Sequence, residues 1–199
     1  MVGHKILEDE ALDILFREAR TYRAWQKRDV TEVLIKAVYD LAKLGPTAAN
    51  CSPARFVFIQ SAEAKARLQP HLDKGNVDKT MAAPLTAIIA YDTQFYELMP
   101  ELYPQAPKAR DWYAGKPATI EDTAFRSSSL QGAYLMLAAR ALGLDCGPMS
   151  GFNKEGINKE FFADGRYQVN FLCNIGYGDN TGMPVRGPRL SFDQACQVL

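Results

Sequence analysis

Residues 132–144 read Gly-Ala-Tyr-Leu-Met-Leu-Ala-Ala-Arg-Ala-Leu-Gly-Leu, the most apolar run of the 199-residue chain. The run is too short to cross a bilayer and is interrupted by Arg140. It closes the longest helical pattern, Ile120 to Leu142, polar in its first half and apolar nearly all round in its second. A helix apolar on every face belongs at the centre of a fold, and Gly143 ends this one.

Around that helix the patterns alternate irregularly. Upstream, Arg55–Gln60 and Leu85–Tyr91 are short, apolar and rich in β-branched or aromatic residues, and so predict strands, the second entered through Pro84. Downstream, Lys154–Phe162 predicts a short helix and Gln168–Tyr177 a third strand. Glu8–Glu18 has Leu12, Leu15, Phe16 and Ala19 at helical spacing. A stronger helix is capped by Thr31, has a buried stripe of Val33, Leu34, Ala37, Val38 and Leu41, and stops at Gly45-Pro46. Ser61 opens another through Gln69. Between Asp92 and Thr119, Pro100, Pro104, Pro107 and Pro117 interrupt a series of aromatics, which predicts a partly helical, mobile excursion. No regular βαβ alternation appears, and the expectation is one α+β sandwich domain over 1–199.

Composition excludes some classes. Apolar residues make up 47 %, ample for a core, and 23 Lys plus Arg balance 23 Asp plus Glu. A neutral chain gives no electrostatic reason to expect nucleic acid or an anionic membrane as partner. Cys51, Cys146, Cys173 and Cys196 are scattered without C-x-x-C spacing, with only His4 and His71 to add imidazoles, so the thiols read as reduced and no metal site is expected. Met1 to Lys5 is followed by acidic residues rather than an apolar stretch, and the expected location is cytoplasmic. G-x-G-x-x-G, G-x-x-x-x-G-K and G-x-S-x-G are absent, and neither histidine has a cue for activating a nucleophile.

Five segments carry chemistry. Arg20-Thr21-Tyr22-Arg23 offers two guanidinium groups and a hydroxyl for a phosphate, or is a solvated helix end. Pro46-Thr-Ala-Ala-Asn-Cys-Ser-Pro53 has side chains small enough for a ring to lie against backbone and an amide at Asn50, or is a plain surface loop. Asn76 and Lys79 lie on one side of a helical turn, or face solvent. Gly147-Pro-Met-Ser-Gly-Phe152 can expose backbone N–H groups, or is a turn into the following helix. Arg186-Gly-Pro-Arg189 is stiffened by Pro184 and Pro188, or is a basic tail.

In their order along almost the whole chain these segments, with the Ala-Leu-Gly-Leu helix end, resemble the FMN-dependent nitroreductases. The strings Gly-Pro-Thr-Ala-Ala-Asn-Cys-Ser-Pro-Ala-Arg (45–55), Gly-Asn-Val-Asp-Lys-Thr (75–80) and Gly-Pro-Met-Ser-Gly-Phe (147–152) are similar to the branch that contains malonic semialdehyde reductase. The resemblance implies a three-layer α+β sandwich with a mostly antiparallel central sheet, an intertwined homodimer, and FMN at the subunit interface. It places Arg20, Thr21 and Arg23 at the phosphate and ring, and Pro46, Thr47, Ala48 and Asn50 on the cofactor from the partner subunit. Asn76 and Lys79 then meet the ribityl chain and pyrimidine edge. Pro148, Met149, Ser150 and Gly151 lie over the reactive part of the ring, and Arg189 with Arg186 closes on the phosphate. The chain departs from the family at Ser150, where glutamate is frequent, and in the wider spacing of its terminal arginines.

The expected activity is hydride transfer from NADH or NADPH through the flavin to a small semialdehyde or enal, or to nitroaromatics and quinones. No side chain need act as nucleophile, because the flavin carries the chemistry. Trp112 and Tyr113, in the proline-rich excursion, are the candidate substrate cover. The rival readings are a non-catalytic FMN-binding or sensing protein and a structural α+β dimer without flavin.

Overall fold

The computed structural model describes residues 5–199; the expectations attached to Met1–His4 lie outside them. Four strands, β1 (Ala54–Ile59), β2 (Leu85–Asp92), β3 (Asp145–Met149) and β4 (Tyr167–Gly176), form one antiparallel sheet in the order β1-β2-β4-β3. The helices are α1 (Asp9–Leu12, continued by a π-helical turn Asp13–Arg17), α2 (Glu32–Ala42), α3 (Ala62–Leu68), α4 (Lys74–Ala82), α5 (Met99–Leu102), α6 (Pro117–Ala141), α7 (Lys154–Phe161) and α8 (Phe192–Ala195).

Strand alternation sorts the core into two layers. Leu85, Ala87 and Ile89 of β2 and Cys173 and Ile175 of β4 pack with Val38 of α2 and Leu135, Ala138 and Ala139 of α6. Ile88, Ala90, Val169 and Leu172 face the other way, against Leu68 of α3 and Ile157 of α7. A bulge at Asn170, opposite the step from Ile89 to Ala90, lets Val169 share the second face with Leu172 instead of the first with Phe171. The sheet is the middle of three layers. Gly132 lets α6 lie close on it: a Cβ there would come 2.5 Å from the Phe171 ring.

Local signals set the element ends. Thr31, Ser61 and Asn153 each accept a backbone N–H at the start of α2, α3 and α7. Gly143, at φ +78°, closes α6, with Leu144 N–H donating to Ala139 O at 2.9 Å. At the end of α4, the buried Lys65 ammonium donates to the carbonyls of Thr80 and Ala83, where cations are favoured, although burial lowers its pKa to about 8.

Several expectations change. The sheet has a fourth strand, β3, where a turn was expected, because Asp-Cys-Gly-Pro-Met lacks the usual strand residues; as an edge strand it can hold Pro148. The buried stripe of α2 is rotated, with Val38 and Ala42 buried but Val33 78 % and Leu41 44 % exposed. The apolar second half of α6 buries Leu135, Ala138 and Ala139 but leaves Tyr134 facing outward, as Phe125 and Leu130 do earlier in the helix. The excursion is partly helical as expected, and it is packed: Phe95, Met99, Ala109 and Tyr113 are buried with Tyr91, Cys51 and Ala124.

Asp92, fully buried at the end of β2, receives two hydrogen bonds from Arg166, one from Arg55 and the Gln94 N–H. Burial alone would raise its carboxyl, but the Arg166 hydrogen bond, the Gln94 N–H and the two guanidinium charges outweigh it and hold the pKa below the ordinary carboxylate value. A lowered folded-state pKa gives stability that is full above the unfolded value of about 4 and lost as pH falls through the folded one. Asp92→Asn is expected to cost about 2 kcal/mol at pH 7 and to weaken the loss of stability below pH 4. Urea unfolding of both proteins at pH 7 and pH 3 measures the two effects.

Candidate functional site

The N-terminal helix ends in its π turn, with Glu18 N–H donating to Asp13 O at 2.9 Å. The chain then runs extended along the edge of β3. Thr21 bridges Cys146 in parallel, Tyr22 N–H donates to Cys146 O at 3.0 Å, and Trp25 bridges Gly178. This approach requires a bare backbone. A Cβ at Gly147 would lie 2.6 Å from Tyr22 O, and one at Gly178 would lie 2.1 Å from the Tyr22 ring. The arm Arg20–Trp25 is therefore seated by glycines far away in sequence.

The C-terminal tail returns over the same arm. Arg20 donates to Pro184 O, and Arg186 donates to Arg17 O and Ala19 O at 2.7 and 2.8 Å. Between arm and tail opens a cleft of about 480 Å³ lined by Arg20, Thr21, Arg23, Arg140, Arg186 and Arg189, with Phe16 and Pro184 among its apolar walls. Five guanidinium groups line it, no carboxylate does, and none of the five is in an ion pair among the described residues. Such a concentration of forked donors suits an anion with several oxygens, such as a phosphate.

The five differ in their local tasks. Arg186 satisfies carbonyls at the end of the N-terminal helix, and Arg140 reaches Leu15 O at 3.4 Å. Arg189 donates only to carbonyls within its own turn, and Arg23 has no hydrogen bond to another described residue. Arg140 was not among the expected site residues; a single arginine inside the apolar run was the available signal.

The other expected residues fall into two groups. Asn76 and Lys79 lie on α4, a full helix rather than a single turn. Asn76 Nδ2 donates to Gly151 O at 2.6 Å, which brings it to the turn after β3. Trp25 Nε1 donates to Lys79 O at 3.1 Å, which sets Lys79 against the arm, and partial burial, then the Arg23 charge, hold its ammonium below the ordinary lysine range. Pro148 and Met149 are the last residues of β3, Met149 is buried, and Ser150 and Gly151 make the turn.

Pro46, Thr47, Ala48 and Asn50 are elsewhere. Their loop precedes β1, the opposite edge strand, at the end of the sheet where Ala54 pairs Tyr91. Ala48 N–H donates to Ser127 Oγ at 3.5 Å, Ser52 N–H to Thr47 Oγ1 at 3.1 Å, and Asn50 Nδ2 to Leu102 O at 2.8 Å. Ala49, Asn50 and Ser52 all have positive φ, +46°, +54° and +39°, a costly conformation for residues other than glycine, interrupted at Cys51 with φ −70°. Ser127 touches this loop while Arg140 lines the cleft, and thirteen helical residues separate them by about 20 Å along α6. Of the expected cover, Trp112 is half-exposed beside Tyr103, while Tyr113 is buried against Phe95.

Comparison with known proteins agrees with this architecture. The model of the nitroreductase family matches residues 16–177, and the chain belongs to that family. Two relatives carry the name "Putative NADH dehydrogenase/NAD(P)H nitroreductase". The one from Rhodopseudomonas palustris is 58 % identical over 97 % of this chain and 98 % of its own, and the one from Ralstonia nicotianae is 54 % identical over the same shares. A nitroreductase-type structure from Exiguobacterium sibiricum, solved in complex with FMN, superposes with a TM-score of 0.84 at 23 % identity, covering 99 % of this chain and all of that one. At that identity the likeness concerns the fold.

The division among the arginines predicts separate phenotypes. Arg186→Ala is expected to lower stability by about 1 kcal/mol, because two charge-assisted bonds to helix-end carbonyls are lost from an exposed site. Arg189→Ala should leave stability within about 0.5 kcal/mol. Urea midpoints of the two variants check the difference.

Proposed function

We propose that the protein is an FMN-dependent NAD(P)H oxidoreductase whose phosphate site is the arginine cleft. The observation that carries this reading is the convergence of Arg20, Arg23, Arg140, Arg186 and Arg189 on one cleft without an acidic residue in its lining. That donor set fits the phosphate of FMN. Arg20, Arg23 and Arg189 would hold the phosphate by charge-assisted hydrogen bonds, with Arg140 and Arg186 fixing the arm from which the first two project. Lys79 would stand at the pyrimidine edge, where a cation stabilises negative charge. Asn76, by holding Gly151, would set the Met149–Gly151 turn against the ring. When bound, FMN would supply hydride exchange between NADH or NADPH and an acceptor taken up in turn over the same ring.

The loop of Pro46, Thr47, Ala48 and Asn50 lies at the opposite edge and end of the sheet from the arm. The resemblance places both on one FMN; since one chain holds them far apart, a partner copy in a homodimer would supply the second half of each site. The outward apolar side chains Phe125, Leu130 and Tyr134 on α6, with Val33 and Leu44 near α2, are of the kind such an interface covers. For the acceptor, the resemblance to the branch containing malonic semialdehyde reductase favours a small semialdehyde or enal. A carboxylate beside the aldehyde would suit the cationic surroundings. Nitroaromatics and quinones would also accept hydride, and Trp112 is the exposed member of the proposed cover.

Purified protein is expected to be yellow, to bleach with NADH or NADPH under anaerobic conditions, and to recover colour with a semialdehyde. A colourless protein that takes up no FMN sinks the reading, and a yellow protein that neither nucleotide bleaches is a passive binder. Arg189→Ala should weaken FMN retention at least tenfold more than Arg28→Ala, whose guanidinium lies over the Tyr177 ring, outside the cleft lining. Sedimentation of the holoprotein tests the dimer.

A further inference from the structure

Behind the cleft, the apolar contact between α4 and the sheet contains a polar network. Asn174 of β4, Thr86 of β2 and Thr80 of α4 are all fully buried. Thr86 Oγ1 donates to Asn174 Oδ1 at 2.8 Å. Asn174 Nδ2 donates to Thr80 Oγ1 at 3.2 Å and to Lys79 O at 3.4 Å. Lys79 O also accepts Trp25 Nε1 at 3.1 Å, and Thr80 Oγ1 donates to Met149 Sδ at 3.5 Å. Every donor in the set has an acceptor, with one consistent order of protons.

Asn174 thus joins α4 directly, through Lys79 O and Thr80, and the arm and the end of β3 at one remove, through Trp25 on Lys79 O and Met149 on Thr80. The Lys79 carbonyl is among the last four of α4, which lack intrahelical partners, so its position depends on these two donors. Apolar packing would fill the same space without fixing the rotation of the last turn of α4, whereas hydrogen bonds are directional. We propose that Asn174 is a positioning residue, holding the Lys79 side chain and the Met149–Gly151 turn in fixed relation to the arginine arm. The inference rests on the reading of that region as the FMN site.

The test uses the full-length apoprotein and FMN. Acetylation of Lys79 by N-hydroxysuccinimidyl acetate, followed by peptide mass spectrometry and normalised to the exposed Lys36, reports the lysine without cofactor. Fluorescence-quenching titration gives the Kd for FMN. Asn174→Leu is expected to change Lys79 acetylation at least threefold and to weaken FMN binding at least tenfold. Asn158→Leu is the control for lost stability, because Asn158 bonds Gln168 and the Val169 N–H away from the cleft. It should change neither quantity more than twofold at a comparable fall in Tm. Thr80→Ser should behave as wild type and Thr80→Val as Asn174→Leu, which keeps the test available if Asn174→Leu does not fold. Acetylation and Kd within twofold of wild type in the folded variants, or equal changes in the Asn158→Leu control, overturn the assignment. If the wild-type protein takes up no FMN, the proposed function fails, and Lys79 acetylation alone still decides the network.

Discussion

The rest of the structure depends on the contact between α6 and the inner face of the sheet. A four-stranded sheet exposes an apolar face that must be covered, and α6, at 25 residues or about 37 Å, is the element long enough to run across it. The contact is close because Gly132 leaves room for the Phe171 ring. The same helix then reaches both chemically distinctive regions. Toward its middle Ser127 receives the Ala48 N–H of the strained loop, and near its end Arg140 enters the arginine cleft. Packing in the core thereby fixes the distance between two surface features that share no contact of their own.

Charge is arranged with similar economy. The chain is neutral, with 23 residues of each sign, and yet five guanidinium groups face one cleft. Elsewhere, apart from Arg28 over the Tyr177 ring, the described arginines are matched by acids, as in Arg55 and Arg166 on Asp92, Arg67 on Glu160 and Arg110 on Glu97. The unmatched cluster is therefore a local departure from the general pattern. Carbonyl oxygens take the place of carboxylates around Arg20, Arg140 and Arg186. They orient the guanidinium groups without cancelling their charge, and the cleft keeps its positive potential.

How far the amino-acid order discloses this arrangement varies by element. The long helix, the strands β1, β2 and β4 and the caps at Thr31 and Ser61 follow from periodicity and local chemistry, as does the α+β class. Strand β3 does not, because its pairing partner and the Tyr22 backbone define it, while its own residues favour a turn. The face of α2 was displaced because periodicity marks apolar positions without saying which of them a neighbour covers. In the site, the two arginine segments and the small-residue loop are visible as unusual local composition. The role of Arg140, the commitment of Arg186 to helix-end carbonyls and the Trp25–Lys79–Asn174 connection depend on contacts between distant segments. A reading along the chain cannot supply those.

The clasp between arm and tail has a consequence for ligand exchange. Arg20 and Arg186 tie the arm to the tail across sequence separations of 164, 169 and 167 residues. Arg186 and Arg189 belong to the tail and Arg20 and Arg23 to the arm, so a polyanion held between them bonds to both sides of the clasp. Opening of the tail would remove one wall of the cleft together with two of its five arginines. Tail opening and release of a bound anion are thereby linked, each favouring the other.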